Sequence, residues 1–270
     1  MKTLSFLKRY YPLLAVIPLS AILISCAVVA ETGRRQILLV TPEAEMQLGL
    51  TEFEKMKGSI PISRDPEVNA LVQRVGKRIS AVAPLKNAQW EFVVFDQPKV
   101  PNAFCLPGGK VGIYTGILPI TQNEGGMATV IGHEVAHAVA RHGAERISEG
   151  LLLQMGGIAL DAAMRNKSQE TRVLVQQAYG IGGTVGVMLP HSRSHELEAD
   201  RIGMIYMARA GYNPREAVEF WKRFAAFNRQ HGSSATPEFL RTHPVDEKRI
   251  AQLEQLLPQA MEEYEKTLAK

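Results

Sequence analysis

The pentapeptide His133-Glu134-Val135-Ala136-His137 sets two imidazoles four residues apart. On an α-helix that spacing puts both rings on one face, where they can hold a single Zn²⁺ while Glu134 reaches a bound water. Zinc so held lowers the pKa of water towards about 7 and polarises a carbonyl, and the glutamate can carry a proton from water to a leaving amine. Peptide hydrolysis is the chemistry this trio suits. Two ordinary helix histidines would read the same in isolation. The weight therefore falls on a third ligand, because catalytic zinc usually takes three protein ligands and keeps one position open.

Glu196-Leu197-Glu198-Ala199-Asp200 supplies a candidate. Within a helix Glu196 and Asp200 lie one turn apart on the same face. Glu196 is expected to bind the metal and Asp200 to accept a hydrogen bond from a ligand histidine. An acidic, solvated helix face is the plainer reading of such a segment, and the histidine pair weighs against it. One zinc per chain is expected.

The elements that must position these residues are legible in outline. Thr41-Pro42-Glu43 opens a helix ending near Gly58, and Asp65-Pro66-Glu67 opens a second, with Val68, Leu71, Val72, Val75 and Ile79 on its buried stripe and a stop at Pro84. Residues 90–95 and 110–114 are rich in β-formers or alternate in polarity around a Pro107-Gly108-Gly109 turn, which predicts two or three strands. One helix is expected from Asn123 to about Ile147, carrying the histidine pair. Residues 151–190 are apolar and glycine-rich and predict loosely packed helices flanking a cleft. Further helices are expected over 194–210, after Asn213-Pro214, and after His243-Pro244. The fold class is α+β, mostly α, in one domain spanning 41–270.

The N-terminus carries Lys8 and Arg9 followed by an uncharged run from Tyr10 through Ala30, the pattern of a signal peptide. Leu23-Ile24-Ser25-Cys26 resembles a bacterial lipobox, so residues 1–25 are expected to be removed, Cys26 acylated and residues 26–40 to act as a tether. Ala27 after the cysteine favours the outer membrane, facing the periplasm. An uncleaved transmembrane helix anchored in the inner membrane is the alternative, since the run is close to the roughly 20 residues a bilayer requires. The formal net charge of +4, less the three positive charges of Lys2, Lys8 and Arg9, leaves +1 after processing. With no Lys/Arg cluster, nucleic acid is excluded as a partner. The two cysteines, Cys26 and Cys105, provide no disulfide framework.

The histidine motif, Arg141-His142-Gly143, Glu196 to Asp200, Asn102 to Gly109 and Thr242-His243-Pro244 occur in one order. Together they resemble the CAAX prenyl protease and HtpX-like family of gluzincin metallopeptidases over roughly residues 30–255. The likeness is strong to its periplasmic lipoprotein branch, the LoiP-like and BepA-like proteins, though without the tetratricopeptide array of the latter; the mitochondrial inner-membrane quality-control peptidase is also similar. The resemblance implies a zincin-like fold, His133, His137 and Glu196 as ligands and Glu134 as catalytic base, with Glu198 not a ligand. It implies that residues 102–109 form a strand and turn bordering the cleft, where Asn102 either contacts substrate or shapes the turn, Phe104 is core and Cys105 packs. His142 lies off the metal-facing register and is expected behind a ligand or at a helix end. His243, on a loop before a helix, is expected at the open zinc position, as an oxyanion donor or as a resting ligand, or else as a helix cap. The implied function is a membrane-tethered endopeptidase acting on unfolded or misfolded envelope polypeptides. The alternatives are a chaperone-like assembly factor that rarely cleaves and a non-peptidase metalloprotein.

Overall fold

The computed structural model describes residues 25–231, 239, 243–244 and 247–269. Most of the signal sequence and lipobox, Thr242 and the irregular stretch before it lie outside the described residues.

The described residues begin with a hairpin, which falls in the stretch expected to act as a tether. Strand β1 (Ser25–Val28) pairs antiparallel with β2 (Arg35–Leu38), with Cys26 opposite Ile37. Leu38, Val29 and even Gln36 are buried, and the hairpin is fastened at its end where Leu39 N–H donates to Ser148 Oγ at 2.8 Å. Alternation in Arg35-Gln36-Ile37-Leu38 is weak in hydrophobicity, which is why the sequence did not disclose a strand.

Helices α1 (Pro42–Ser59) and α2 (Pro66–Ser80) start where the caps place them. Thr41 and Asp65 accept from backbone N–H groups of the first turns, and a proline occupies each first position. Helix α2 ends four residues before Pro84 and buries Val72, Val75 and Ile79 against a three-stranded sheet of order β3-β5-β4. Strand β3 (Glu91–Phe95) runs parallel to the central β5 (Lys110–Tyr114), and β4 (Ala103–Leu106) runs antiparallel to β5 at the edge.

After a short helix α3 (Leu118–Thr121), the single helix expected over 123–147 is broken in two. Helix α4 (Glu124–Val139) is almost wholly buried; Arg141 then adopts a left-handed conformation, φ 58°, and α5 (His142–Ala163) departs on a new axis. That conformation costs a non-glycine residue about 1–2 kcal/mol. It is held by ion pairing of Arg141 to Glu45 of α1 at 2.7 Å and by Arg141 Nη2 donating to the Val40 carbonyl at 3.3 Å. The break thus depends on a residue 96 positions earlier, beyond the reach of local pattern.

Helix α5 packs against α6 (Gln169–Gly183), and α6 continues through a π-helical turn (Thr184–Met188) into α7 (Leu189–Arg209). The α5–α6 pair leaves Ile158, Leu174 and Ile181 about two-thirds exposed. Helices α8 (Arg215–His231) and α9 (Glu247–Leu268) close the other side. The main core joins α2, the sheet, α4, α7, α8 and α9, with Trp221 and Phe220 among its largest buried side chains. The α+β, mostly helical class expected from the sequence is the observed one. Among the described residues, no helix is long and apolar enough to cross a membrane.

Candidate metal centre

Helices α4 and α7 cross in backbone contact. A Cβ on Gly203 would sit 2.8 Å from the His133 nitrogen, and one on Gly132 would sit 2.9 Å from the Gly203 carbonyl oxygen. Only glycine allows that approach. It brings His133 and His137 of α4 face to face with Glu196 of α7.

His133, His137, Glu196 and His243 each offer one ligand atom, all within 4.8 Å of one another, and all four residues are buried. The two ligand-helix imidazoles have their Nε2 atoms 3.1 Å apart. His243 Nδ1 lies 3.2 Å from His133 Nε2 and 2.9 Å from Glu196 Oε2, and Glu196 Oε1 is 3.4 Å from His137 Nε2. Bonds of about 2.0–2.1 Å to a tetrahedral ion would space its ligand atoms by about 3.3 Å. The cluster has that size.

Its protonation pattern also fits a cation. Asp200 Oδ1 is 3.0 Å from His133 Nδ1, which turns the Nε2 lone pair inward. His142 Nε2 lies 2.9 Å from Glu198 Oε2 and its Nδ1 lies 2.8 Å from His137 Nδ1. A carboxylate only accepts, so His142 Nε2 donates to it. The Nδ1 of neutral His142 then accepts from His137 Nδ1, and His137 Nε2 faces the cluster bare. Glu196 Oε1 and Glu134 Oε1 are buried without a hydrogen-bond partner among the described residues. Such a convergence of lone pairs around an unsatisfied carboxylate calls for positive charge. Burial opposes it, yet the hydrogen bonds of Asp200 and Glu196 hold His133 up at about 9, so a proton and a cation would compete for its Nε2. Burial first, and then the neighbouring His133 and His243, drive His137 well down against the pull of Glu196. Burial would raise Glu196, but the surrounding imidazoles hold it well below the usual carboxylate range. Two imidazole nitrogens, a carboxylate and a third imidazole form a donor set suited to zinc.

Glu134 stands beside the cluster, with its Oε1 3.5 Å from His243 Nε2, and burial pushes its carboxyl above the ordinary range. Edge strand β4 borders α4 on this side. Tyr114 N–H donates to the Asn102 carbonyl at 3.0 Å. By the alternation of an antiparallel ladder, Ala103 and Cys105 therefore turn their backbone groups away from β5, where Ala103 is buried and Cys105 partly exposed. The Asn102 side chain accepts from Ala103 N–H at 2.9 Å, so it trims that edge and makes no contact with the metal cluster. Cys105 is half-buried and packs on the core; burial, then the nearby Glu134 carboxylate, push its thiol far up. Phe104 is wedged between Phe53 and Phe95.

Two groups that hold the site were not singled out from the sequence. Arg249 of α9 grips Asp200 with two hydrogen bonds of 2.7 and 2.8 Å, lies 3.3 Å from Glu196 Oε2 and stacks over Trp221. Its signal was available: Arg249, Leu253 and Ala260 share the buried stripe of α9. The second is a group of side chains around Glu198 and Glu145. Arg34 binds Glu198 at 2.7 Å and Glu145 at 2.8 Å, Thr32 donates to Glu198, and His195 lies 2.9 Å from Glu145.

Comparison with known proteins agrees with this geometry. The profile of peptidase family M48 matches residues 66–257. The chain is 40% identical over 189 residues to the mitochondrial metalloendopeptidase OMA1 of Schizosaccharomyces pombe, covering 70% of this chain and 53% of that protein. It is 30% identical over 241 residues to human mitochondrial metalloendopeptidase OMA1, covering 85% and 45% respectively. To the beta-barrel assembly-enhancing protease of Escherichia coli it is 28% identical over 211 residues, covering 77% and 42%. The chain spans about half the length of these curated relatives. The matched region holds both ligand helices and their buried donor set, and on that ground the chain belongs to peptidase family M48.

Proposed function

We propose that the protein is a membrane-tethered, zinc-dependent endopeptidase that cleaves misfolded polypeptides of the cell envelope. The observation that carries this reading is the buried convergence of His133, His137 and Glu196 with Glu134 at its side. Zinc held there supplies Lewis acidity, which makes water nucleophilic near neutral pH and polarises a scissile carbonyl. Glu134 takes the proton of the attacking water and delivers it to the leaving amine. Its raised carboxyl pKa suits both halves of that transfer. The edge of β4 receives the substrate as an added strand through the backbone of Cys105 and the Ala103 carbonyl, and His243 would serve as a further, resting ligand of the ion. Attachment through Cys26 and a location facing the periplasm follow from the lipobox-like sequence. The names of the relatives, a metalloendopeptidase and a protease that enhances β-barrel assembly, support action on membrane proteins.

Casein hydrolysis by the full chain tests the activity. It should require zinc and vanish in Glu134→Gln with zinc still bound; equal hydrolysis by the variant would overturn the assignment. A second reading, a chaperone-like assembly factor that rarely cleaves, draws on the exposed apolar side of the α5–α6 pair. Full rescue of a deletion strain by Glu134→Gln would favour it over the peptidase.

A further inference from the structure

The side chains behind His137 form a path that leaves the metal centre and ends on the N-terminal hairpin. His137 Nδ1 meets His142 Nδ1 at 2.8 Å, and His142 Nε2 meets Glu198 Oε2 at 2.9 Å. Glu198 is held in turn by Thr32 Oγ1 and by Arg34 Nε at 2.7 Å, while the other arm of Arg34 reaches Glu145 at 2.8 Å. Glu145 also lies 2.9 Å from His195 Nε2, and the His195 ring stacks on His142 at 4.2 Å between centroids, 13° from parallel. His142, His195, Glu145 and Glu198 are all buried.

Arg34 is the keystone by charge. Glu145 and Glu198 are two buried carboxylates from different helices; His195 and His142 each contact one of them, and the Arg34 guanidinium is the group that spans both and holds them close. Without it, their repulsion would move α5 against α7, and with them His142. The β1–β2 turn is otherwise remote from the chemistry: it reaches the site through Thr32 and Arg34.

We propose that Thr32 and Arg34 are positioning residues of the metal centre, acting through Glu198 and His142 to fix the orientation of His137. The inference rests on His133, His137 and Glu196 being the zinc ligands. Its consequence is that the stretch joining the membrane anchor to the peptidase fold is also part of what holds the zinc. Tension or displacement at the N-terminal hairpin is then transmitted to a ligand. Partners of a ligand histidine typically contribute 10- to 100-fold to metal affinity. Arg34, which acts two steps further out through Glu198 and His142, belongs at the lower end of that range.

The test uses the full chain in wild-type form and as Arg34→Ala, Arg34→Lys, Thr32→Val and Glu198→Gln. Zinc affinity is measured by chelator competition, and the ligand field by the visible absorption of the Co²⁺-substituted protein. Arg34→Ala and Glu198→Gln should weaken zinc by about tenfold or more and shift the cobalt bands. Arg34→Lys should recover part of both, since it keeps the charge and loses the fork. Thr32→Val, which removes one hydroxyl and nearly preserves shape, should give a several-fold loss and guards against Arg34→Ala failing to fold. Wild-type affinity and cobalt spectrum in Thr32→Val, Glu198→Gln and the folded Arg34 variants would overturn the inference. If instead His133→Ala with His137→Ala leaves zinc bound, the assignment of the ligands fails, a result separate from the first.

Discussion

Glu134 and His243 face each other across the candidate reaction space at 3.5 Å, and each has a distinct expected phenotype. Replacing Glu134, the proposed base, by Gln should lower kcat by about 10²- to 10⁴-fold, with zinc stoichiometry unchanged by metal analysis. If His243 is a resting ligand as proposed, His243→Ala removes it. Zinc affinity should fall, and turnover per zinc-loaded molecule should rise. A 10²- to 10³-fold drop in kcat would instead assign His243 to the oxyanion. Glu145 gives a pH signature away from the ligands. Burial would raise it, but hydrogen bonds from His195 and Arg34 prevail and hold it down to about 2. A carboxylate whose folded pKa is depressed contributes stability above its unfolded value near 4, and that stability is lost as pH falls towards 2. Denaturant midpoints measured between pH 5 and pH 2 should therefore fall less steeply in Glu145→Gln than in wild type. The convergence of His133, His137, Glu196 and Asp200 was legible because their spacing is local: His133 and His137 one turn apart, Glu196 and Asp200 one turn apart. Arg249 and Glu198 were not legible in their roles, and for His142 the place behind a ligand was legible but the ligand it meets was not. A buried arginine reads as a surface residue until its partner is known, and His142 reaches His137 only because the chain turns at Arg141.

That turn belongs to the scale of elements. A sequence pattern continuous in helical character from 123 to 147 gives no sign of a break whose stabilisation lies in Glu45 of α1. The strands at 91–95 and 110–114 and the caps at Thr41 and Asp65 were legible, since β-branched runs, turn residues and capping signals act within a few positions. The crossing of α4 and α7 offers a direct probe. A methyl group at residue 203 would meet the His133 backbone nitrogen at 2.8 Å, and backbone cannot swing aside as a side chain can. Gly203→Ala should therefore separate the two ligand helices, cost about 1–3 kcal/mol and weaken zinc binding. A variant with unchanged melting temperature and zinc affinity would show that the helices cross with slack.

Over the whole molecule, the ligand cluster draws together α4, α7 and the segment before α9, from residue 133 to residue 243. An ion that binds only this folded arrangement stabilises it, by about 2.7 kcal/mol when free metal is a hundredfold above Kd. Chelation should lower the melting temperature of wild type, and the shift should shrink in His133→Ala, where little metal remains to remove; an equal shift in both would place the stabilising metal elsewhere. The open edge of β4 has a different kind of reach, because it bears on which polypeptides can be read at all. Among the described residues of β4, Ala103 and Cys105 turn backbone groups away from β5, with the Ala103 N–H already taken by Asn102, so an added strand is met at every second residue, by its main chain and chiefly at Cys105. Side-chain identity matters little to such a reader, but an amide hydrogen matters at alternate positions, and proline has none. Proline walked one residue at a time through a cleavable peptide should block hydrolysis with a period of two. The rule would be written in the rhythm of the substrate rather than in its composition.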